Sequence, residues 1–310
     1  MFRAIYSFLS NLRGSSNNAL RVFISIDPLS IGGGSNTFAY NFKSWLLKNN
    51  ISFVVEKNIK KSDLAIVIAD KIEINQLRKV KNNCFIIHRL DEHVESKEDD
   101  QRKSKHEKIK ELNALADVTI YQSRFVYENM HPYLGRPEKY VIIHNGGHTD
   151  EFYPPEKFGK YIGHVTWGVG EKKRLDILYD IIKSNSDHEF LLVGRQLESE
   201  YNFQELSNVK CVGPIDRKDL LDYYHQMQFF LFPSENDPCP NTVIEAMLAG
   251  LPICYNKKGG TVELVKDCGV PLQEFHQLFI NIQMYREKVL ARQDLNFDSV
   301  AKKYLALYPN

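Results

Sequence analysis

The stretch PSENDPCPNTVIEAMLAGLP, residues 233–252, holds the side chains best spaced to do chemistry. Asp237 precedes a helical pattern that starts near Asn241, and Glu245 lies a full turn inside it, eight positions after Asp237. An apolar strand (FFLF) runs directly into this loop. Ligands of open α/β sheets bind beyond the carboxyl ends of strands, and helix N-termini favour anions. The backbone N–H groups at Asn241, Thr242 and Val243 therefore suit a diphosphate. Asp237 and Glu245 can then face one bound ligand, the first at its sugar end and the second at a ribose diol. Spacing alone leaves open a solvated carboxylate at Asp237 and a helix-dipole partner at Glu245.

Three other groups invite the same question. Lys172, Lys173 and Arg174 stand just ahead of a helical pattern, after the strand KYIGHVT. Cations at a helix N-terminus offset no macrodipole, so a phosphate is a reasonable partner, against the alternative of a solvated run. Gly32, Gly33 and Gly34 follow the strand RVFISI and let the backbone approach a ligand before a helix begins near Asn36. Their spacing is not the dinucleotide fingerprint, and Glu56 is the sole acid near the end of the next strand, so a plain tight turn fits equally well. The strand CFIIHRLDEH ends in His88, Arg89, Asp91 and His93. A histidine after an apolar strand is more often a packed structural group than a catalytic one.

These groups sit on an alternation of short apolar strands and amphipathic helices, the mark of parallel α/β architecture. RVFISI (21–26), ISFVVE (51–56), DLAIVIA (63–69), CFIIH (84–88), DVTIYQ (117–122) and YVIIHN (140–145) read as strands. They are rich in Ile and Val with little alternation, as expected of strands buried on both faces. The alternation pauses at Pro154-Pro155, a stiff linker, and resumes with KYIGHVT, EFLLVGR, VKCVG, FFLFPS and LPICYN. Helices are predicted at DILYDIIK, DLLDYYHQM, NTVIEAMLA and TVELV. Two runs of similar length predict two domains, residues 1–153 and 154–295, with a last helix in 296–310.

Composition narrows the partners. Of 310 residues, 43% are hydrophobic and 25% charged, ordinary for a chain that buries real cores. A net charge of +1 argues against nucleic acid, whose phosphates call for a clear basic excess. Up to Glu151 there are 22 Lys and Arg against 18 Asp and Glu, a surplus of four, and the remainder, 18 against 21, is three the other way. That asymmetry suits a first half near anionic lipid headgroups. The five cysteines have neither zinc-knuckle nor redox spacing, which fits a reducing compartment. The opening MFRAIYSFLSNLRGSS is too short and interrupted for a membrane span and lacks a convincing signal-peptide cleavage region. An amphipathic surface helix, a disordered leader and a helix packed on the fold all fit it.

The segment 233–252 resembles the signature of retaining family 4 glycosyltransferases, in which two glutamates with seven residues between them precede an Ala-Met-small-Gly-x-Pro run. Asp237 falls at the first glutamate and Glu245 at the second, followed by Ala246, Met247, Gly250 and Pro252. Gly259, Gly260 and the acid after them match the family's following Gly-Gly. Lys173 aligns with the family's diphosphate lysine, His164 stands where the family has an arginine, and Arg195 is the candidate replacement. The glycine turn, HRLD, ADVTIYQSRF and NGGHTDEFYP resemble first-domain family features.

The resemblance implies a GT-B fold: two facing Rossmann-like domains with parallel sheets and a central cleft, residues 1–153 on the acceptor side and 154–295 binding the nucleotide-sugar. The last helix is expected to cross back to the first domain. It implies transfer of a sugar, with retention, from a nucleoside diphosphate sugar to a saccharide or lipid-linked saccharide in surface polysaccharide or glycoconjugate synthesis. Asp237 would touch the donor sugar, Glu245 the ribose, and Gly33, Gly34, Lys173, Arg195, Asn241 and Thr242 the rest of the donor. His88 and Asp91 would orient the donor sugar or the acceptor hydroxyl, and Asn145-Gly146 would form a hinge. No metal or other cofactor is expected, since no Asp-x-Asp stands at a strand end. The expected setting is cytoplasmic, with peripheral contact at the inner membrane face. The competing readings are a sugar-nucleotide epimerase, or a phosphorylase-like enzyme, on the same architecture and a non-catalytic nucleotide-sugar-binding protein.

Overall fold

The computed structural model describes residues 19–27, 33–49, 53–94 and 99–309. The opening segment, Gly32 and part of the charged run after Asp91 lie outside them. The chain divides into two compact units. One holds Gly34–Asn145, the first strand before it and the closing segment from Phe297; the other is Gly146–Asn296 together with Gly33.

The first unit is built on six parallel strands: β1 (Leu20–Ile24), β2 (Phe53–Glu56), β3 (Leu64–Ile68), β4 (Phe85–Leu90), β5 (Val118–Tyr121) and β6 (Tyr140–Ile142). Their order is β2-β1-β3-β4-β5-β6. Every residue of β3 (LAIVI) is buried, which explains its unbroken apolar run. Helices α1 (Gly34–Lys48), α2 (Ile74–Arg78), α3 (Asp100–Asn113) and α4 (Arg124–Tyr133) connect them. The highly charged stretch Asp100–Asn113 is helical, α3, because Ile109 and Leu112 give it one buried stripe.

The second unit repeats the plan with β7 (Tyr161–Thr166), β8 (Phe190–Gly194), β9 (Val209–Val212), β10 (Met227–Phe232), β11 (Ile253–Tyr255) and β12 (Gly269–Pro271). The order is β12-β11-β10-β7-β8-β9, all parallel. Its helices are α5 (Leu175–Ser184), α6 (Leu220–His225), α7 (Asn241–Leu248), α8 (Thr261–Val265) and α9 (Gln277–Leu290).

The division falls at Asn145/Gly146 rather than at the prolines. Phe152 is already buried in the second unit's core, 5.9 Å ring to ring from Tyr224, so the chain joins that unit before Pro154. The last helix, α10 (Phe297–Leu305), belongs to the first unit's core. Its Phe297 and Tyr304 pack on Phe38 and Phe42 of α1 at 5.2–6.0 Å between ring centroids, and Trp45 Nε1 donates to Asp298 Oδ1 at 3.0 Å.

Candidate functional site

In the second unit the chain starts mid-sheet at β7, runs outward to β9, then returns to lay β10 on the other side of β7. A sheet whose order reverses leaves a crevice beyond the carboxyl ends of the two strands at the reversal. The loops after β7 and β10 meet there. Glu235 N–H donates to Lys172 O at 2.9 Å, and Lys173 Nζ stands 3.4 Å from Asp237 Oδ2. The loop after β11 joins them: Asn236 N–H donates to Lys258 O at 3.2 Å and Gly260 N–H to Asp237 O at 2.9 Å. Gly259 bridges Asp237 with a φ of +99°, and a Cβ there would lie 2.9 Å from both the Asp237 N and O. Glycine is what lets these two backbones touch.

Charges clasp the same three loops. Arg174, in the left-handed region at φ 50°, reaches Asp176 at 2.7 Å and Glu235 at 3.1 Å, and Lys258 reaches Glu235 at 3.0 Å. Lys258 and Arg174 hold the Glu235 carboxyl below its usual range. Glu235 is thus committed to fixing the loops, and Asp237 is the acid left beside Lys173.

Helix α7 opens at Pro240 with no side-chain cap and no acid in its first turn. Its first intrahelical bond runs from Ile244 N–H to Pro240 O, so the N–H groups ahead of it at Asn241, Thr242 and Val243 lie at the positive end of the helix dipole. Asp237 Oδ1 turns back to accept from Cys239 N–H at 3.2 Å. The helix stops in a Schellman motif: Gly250 (φ 80°) donates to Met247 O and Leu251 to Ala246 O, both at 2.9 Å, with Pro252 just beyond. Ala-Gly-Leu-Pro in the signature is therefore a stop signal that fixes the helix length.

Positions Val243 to Met247 are all buried, so Glu245 is carried inside the unit, 4% exposed. Arg217 Nη1 donates to its Oε1 at 2.7 Å and the Tyr224 hydroxyl to its Oε2 at 3.3 Å. Arg217 Nε also meets Glu151 Oε2 at 3.0 Å, and its guanidinium lies 4.9 Å from the Phe152 ring centre. Burial pushes the Glu245 carboxyl up, against the pull of Arg217 and the Tyr224 hydrogen bond. Burial also works against the Arg217 charge, but Glu245 and Glu151 outweigh it and keep that pKa raised. Sequence reasoning missed Arg217 and Tyr224. They stand 28 and 21 positions from Glu245, in a charged run and an ordinary helical pattern, and no local spacing singles them out.

Other candidates prove engaged elsewhere. His88 is fully buried in β4: Nε2–H donates to Ala69 O at 2.9 Å, and Nδ1 accepts from Asn113 Nδ2 at 3.0 Å. Burial lowers it to about 4, so it is a neutral strut without a nitrogen to offer a substrate, contrary to the role expected of it. His164 is buried in β7 with Nδ1–H on Leu231 O at 2.9 Å, and its Nε2, buried and without a partner, is an acceptor. Burial, with Lys173 adding to it, brings His164 to about 4, so it cannot supply the cation the family places there. Arg195 closes its fork on Glu198 at 2.6–2.9 Å, an exposed pair on the surface of the second unit.

In the first unit Asp91 Oδ2 accepts from Ser35 Oγ at the start of α1 and from Arg89 Nη1 at 3.0 Å; its Oδ1 is buried without a partner. The buried Arg89 also binds Asn145 Oδ1 at 2.9 Å, tying the end of that unit to β4. Gly33 (φ 105°) and Gly34 are exposed at the opening of α1. Among the described residues no three His, Cys, Asp or Glu side chains group to hold a metal ion.

Residues 160–280 match the family model of glycosyl transferases group 1. The matched stretch lies within the second unit and contains Lys173, Arg217, Asp237 and Glu245. CapH of Staphylococcus aureus, a capsular polysaccharide biosynthesis glycosyltransferase, is 24% identical over 221 residues, 64% of this chain and 61% of that protein. WbnH of Escherichia coli, an O-antigen biosynthesis glycosyltransferase, is 23% identical over 141 residues, 42% of this chain. The chain spans only 40% of WbnH's length. Among solved structures, sucrose-phosphate synthase from Thermosynechococcus elongatus superposes with a TM-score of 0.74 at 16% identity, over 94% of this chain and 98% of that one. HepE of Anabaena, in complex with UDP, gives 0.69 at 15% identity, over 93% and 99%. These likenesses show the fold, two Rossmann-like units of the GT-B kind.

Proposed function

We propose that the chain is a retaining, family 4-type glycosyltransferase that moves a hexosyl group from a nucleoside diphosphate sugar to a saccharide or lipid-linked saccharide. The observation that carries this reading is the pairing of Lys173 with Asp237 at 3.4 Å beside the N-terminus of α7, with Glu245 one turn deeper. Lys173 and the α7 N–H groups at Asn241 and Thr242 bind the diphosphate, Glu245 the ribose and Asp237 the sugar hydroxyls. The sugar C1–O bond breaks with its electron pair leaving on the diphosphate. The acceptor oxygen bonds to C1 from the same face, and its proton passes to the departing phosphate. Fixed positive charge aimed at that leaving group supplies the stabilisation, and the reading requires neither a divalent metal nor a cofactor.

The first unit is the acceptor-side domain, with Asp91 its candidate contact. The likeness to CapH and WbnH supports a surface polysaccharide or glycoconjugate as product, and HepE's complex with UDP supports a uridine nucleotide among the donors to try. No helix among the described residues is long and apolar enough to cross a membrane; the reading sets the protein in the cytoplasm, in peripheral contact with the membrane that holds a lipid-linked acceptor.

The test is incubation with UDP-, GDP- and dTDP-sugars, with and without lipid-linked acceptor and EDTA, scoring nucleoside diphosphate release, glycosylated product and epimer. Acceptor-dependent release that survives EDTA is expected. An epimer without transfer would establish the epimerase reading, and nucleotide binding with no product from any donor would establish a binding protein.

A further inference from the structure

The Glu245 carboxylate enters the nucleotide reading as the ribose contact, yet it is among the least accessible charges of the second unit. Its two oxygens offer about four lone-pair sites. One site on Oε1 is taken by Arg217 Nη1 at 2.7 Å and one on Oε2 by the Tyr224 hydroxyl at 3.3 Å, whose single proton is shared with Thr242 O at 3.2 Å. About two sites remain, the number a vicinal diol needs. A buried carboxylate accepts from two hydroxyls only while it is ionised, and Arg217 is the cation in contact with it. That cation is shared, because Arg217 Nε is bound to Glu151 at 3.0 Å.

We propose that Arg217 is a positioning residue for nucleotide recognition, holding the Glu245 carboxylate in the orientation and charge state that accepts a ribose diol, with Glu151 drawing against it for the same guanidinium. The assignment rests on the nucleotide reading above. The groups that bear on Glu245 are Arg217 ahead of α6, Tyr224 on α6 and Glu151 in the segment after β6; Arg217 and the Tyr224 hydrogen bond favour its charged form, and Glu151 opposes it. Removing Arg217 therefore raises the pH at which Glu245 takes a proton, and neutralising Glu151 lowers it.

The experiment compares binding of the best of UDP, GDP and ADP with that of its 2′-deoxy counterpart between about pH 5.5 and 8.5, by calorimetry. Both ligands carry the same diphosphate titration, so the affinity ratio isolates the diol contact. Wild type is expected to prefer the ribonucleotide by about tenfold or more, as for one charge-assisted hydrogen bond. In Arg217→Met the preference should fall to within about twofold at neutral pH and reappear as pH rises; Arg217→Lys should keep most of it. In Glu151→Gln the preference should persist to lower pH than in wild type.

Full preference in Arg217→Met across the range overturns the assignment and leaves the nucleotide reading standing. Equal loss for both ligands at every pH also overturns it, since that is what a purely structural arginine would show. If Arg217→Met does not fold, an unchanged profile in Glu151→Gln overturns it. A wild type that binds none of the three diphosphates overturns both readings.

Discussion

At the scale of single residues, the proposed reading separates the side chains assigned to a ligand from those that hold the loops together. Glu245→Ala removes the acid proposed for the ribose while Arg217 keeps Glu151 as partner, so the variant should fold and bind nucleoside diphosphate about 1–3 kcal/mol more weakly by calorimetry. Asp237→Asn keeps an oxygen for Cys239 N–H and loses the charge beside Lys173. Its turnover should drop at least about tenfold while nucleotide affinity stays near wild type, the mark of a group that acts mainly on the sugar in the transition state; equal losses would move Asp237 out of that role. The two buried histidines make a different prediction. His88 and His164 are each depressed from 6.5 to about 4. A depressed group contributes stability that is complete above its unfolded pKa and disappears as pH falls toward its folded one. Stability should therefore decline between about pH 6.5 and 4, by up to roughly 3 kcal/mol per histidine. Denaturant midpoints across that range check it, and His88→Gln should flatten the decline.

At the scale of elements, three loops make the site only because β7, β10 and β11 are neighbours, and Gly259 is where two of those loops touch. Gly259→Ala would force a side chain onto a left-handed backbone and against the Asp237 peptide. It should destabilise the second unit by about 1–3 kcal/mol and weaken nucleotide binding, seen in a denaturation curve and a titration. Unchanged stability would mean the loops do not need this contact. Most of the elements were legible because the strands are unbroken Ile, Val and Phe runs between helical patterns. Strand β12 was not, since Gly-Val-Pro has neither length nor pattern, and α9 was not, since its buried stripe amounts to Leu278 and Val289 and it is kinked at Asn281. The site was half legible. Asp237, Lys173 and Glu245 lie within motifs that local spacing exposes, whereas Arg217, Tyr224 and the clasp of Arg174, Glu235 and Lys258 arise from tertiary contact. The partners of His88 are hidden for the same reason: Asn113 and Ala69, which occupy its two nitrogens, are 25 and 19 positions away.

At the scale of the whole molecule, the first unit is split in sequence around Gly146–Asn296, the main run of the second. Phe297, Val300, Ala301, Tyr304 and Leu305 fill the same core as Phe38, Phe42 and Trp45. Phe297→Ala should cost about 3–5 kcal/mol, with loss of packing confined to the first unit. Hydrogen exchange should then show faster opening in β1 and β3 while β7 and β10 keep their protection; uniform loss would mean the units unfold as one. The same feature sets an order of events during synthesis. Residues Gly146–Asn296 can complete their core as soon as they have left the ribosome, but the unit made first lacks a helix until everything between has been translated. The earlier half of the chain must wait, with α1's aromatic face uncovered, for about 150 further residues, which at 5–20 residues per second is roughly ten to thirty seconds. That interval is when this protein most needs a chaperone, and the need belongs to its N-terminal half.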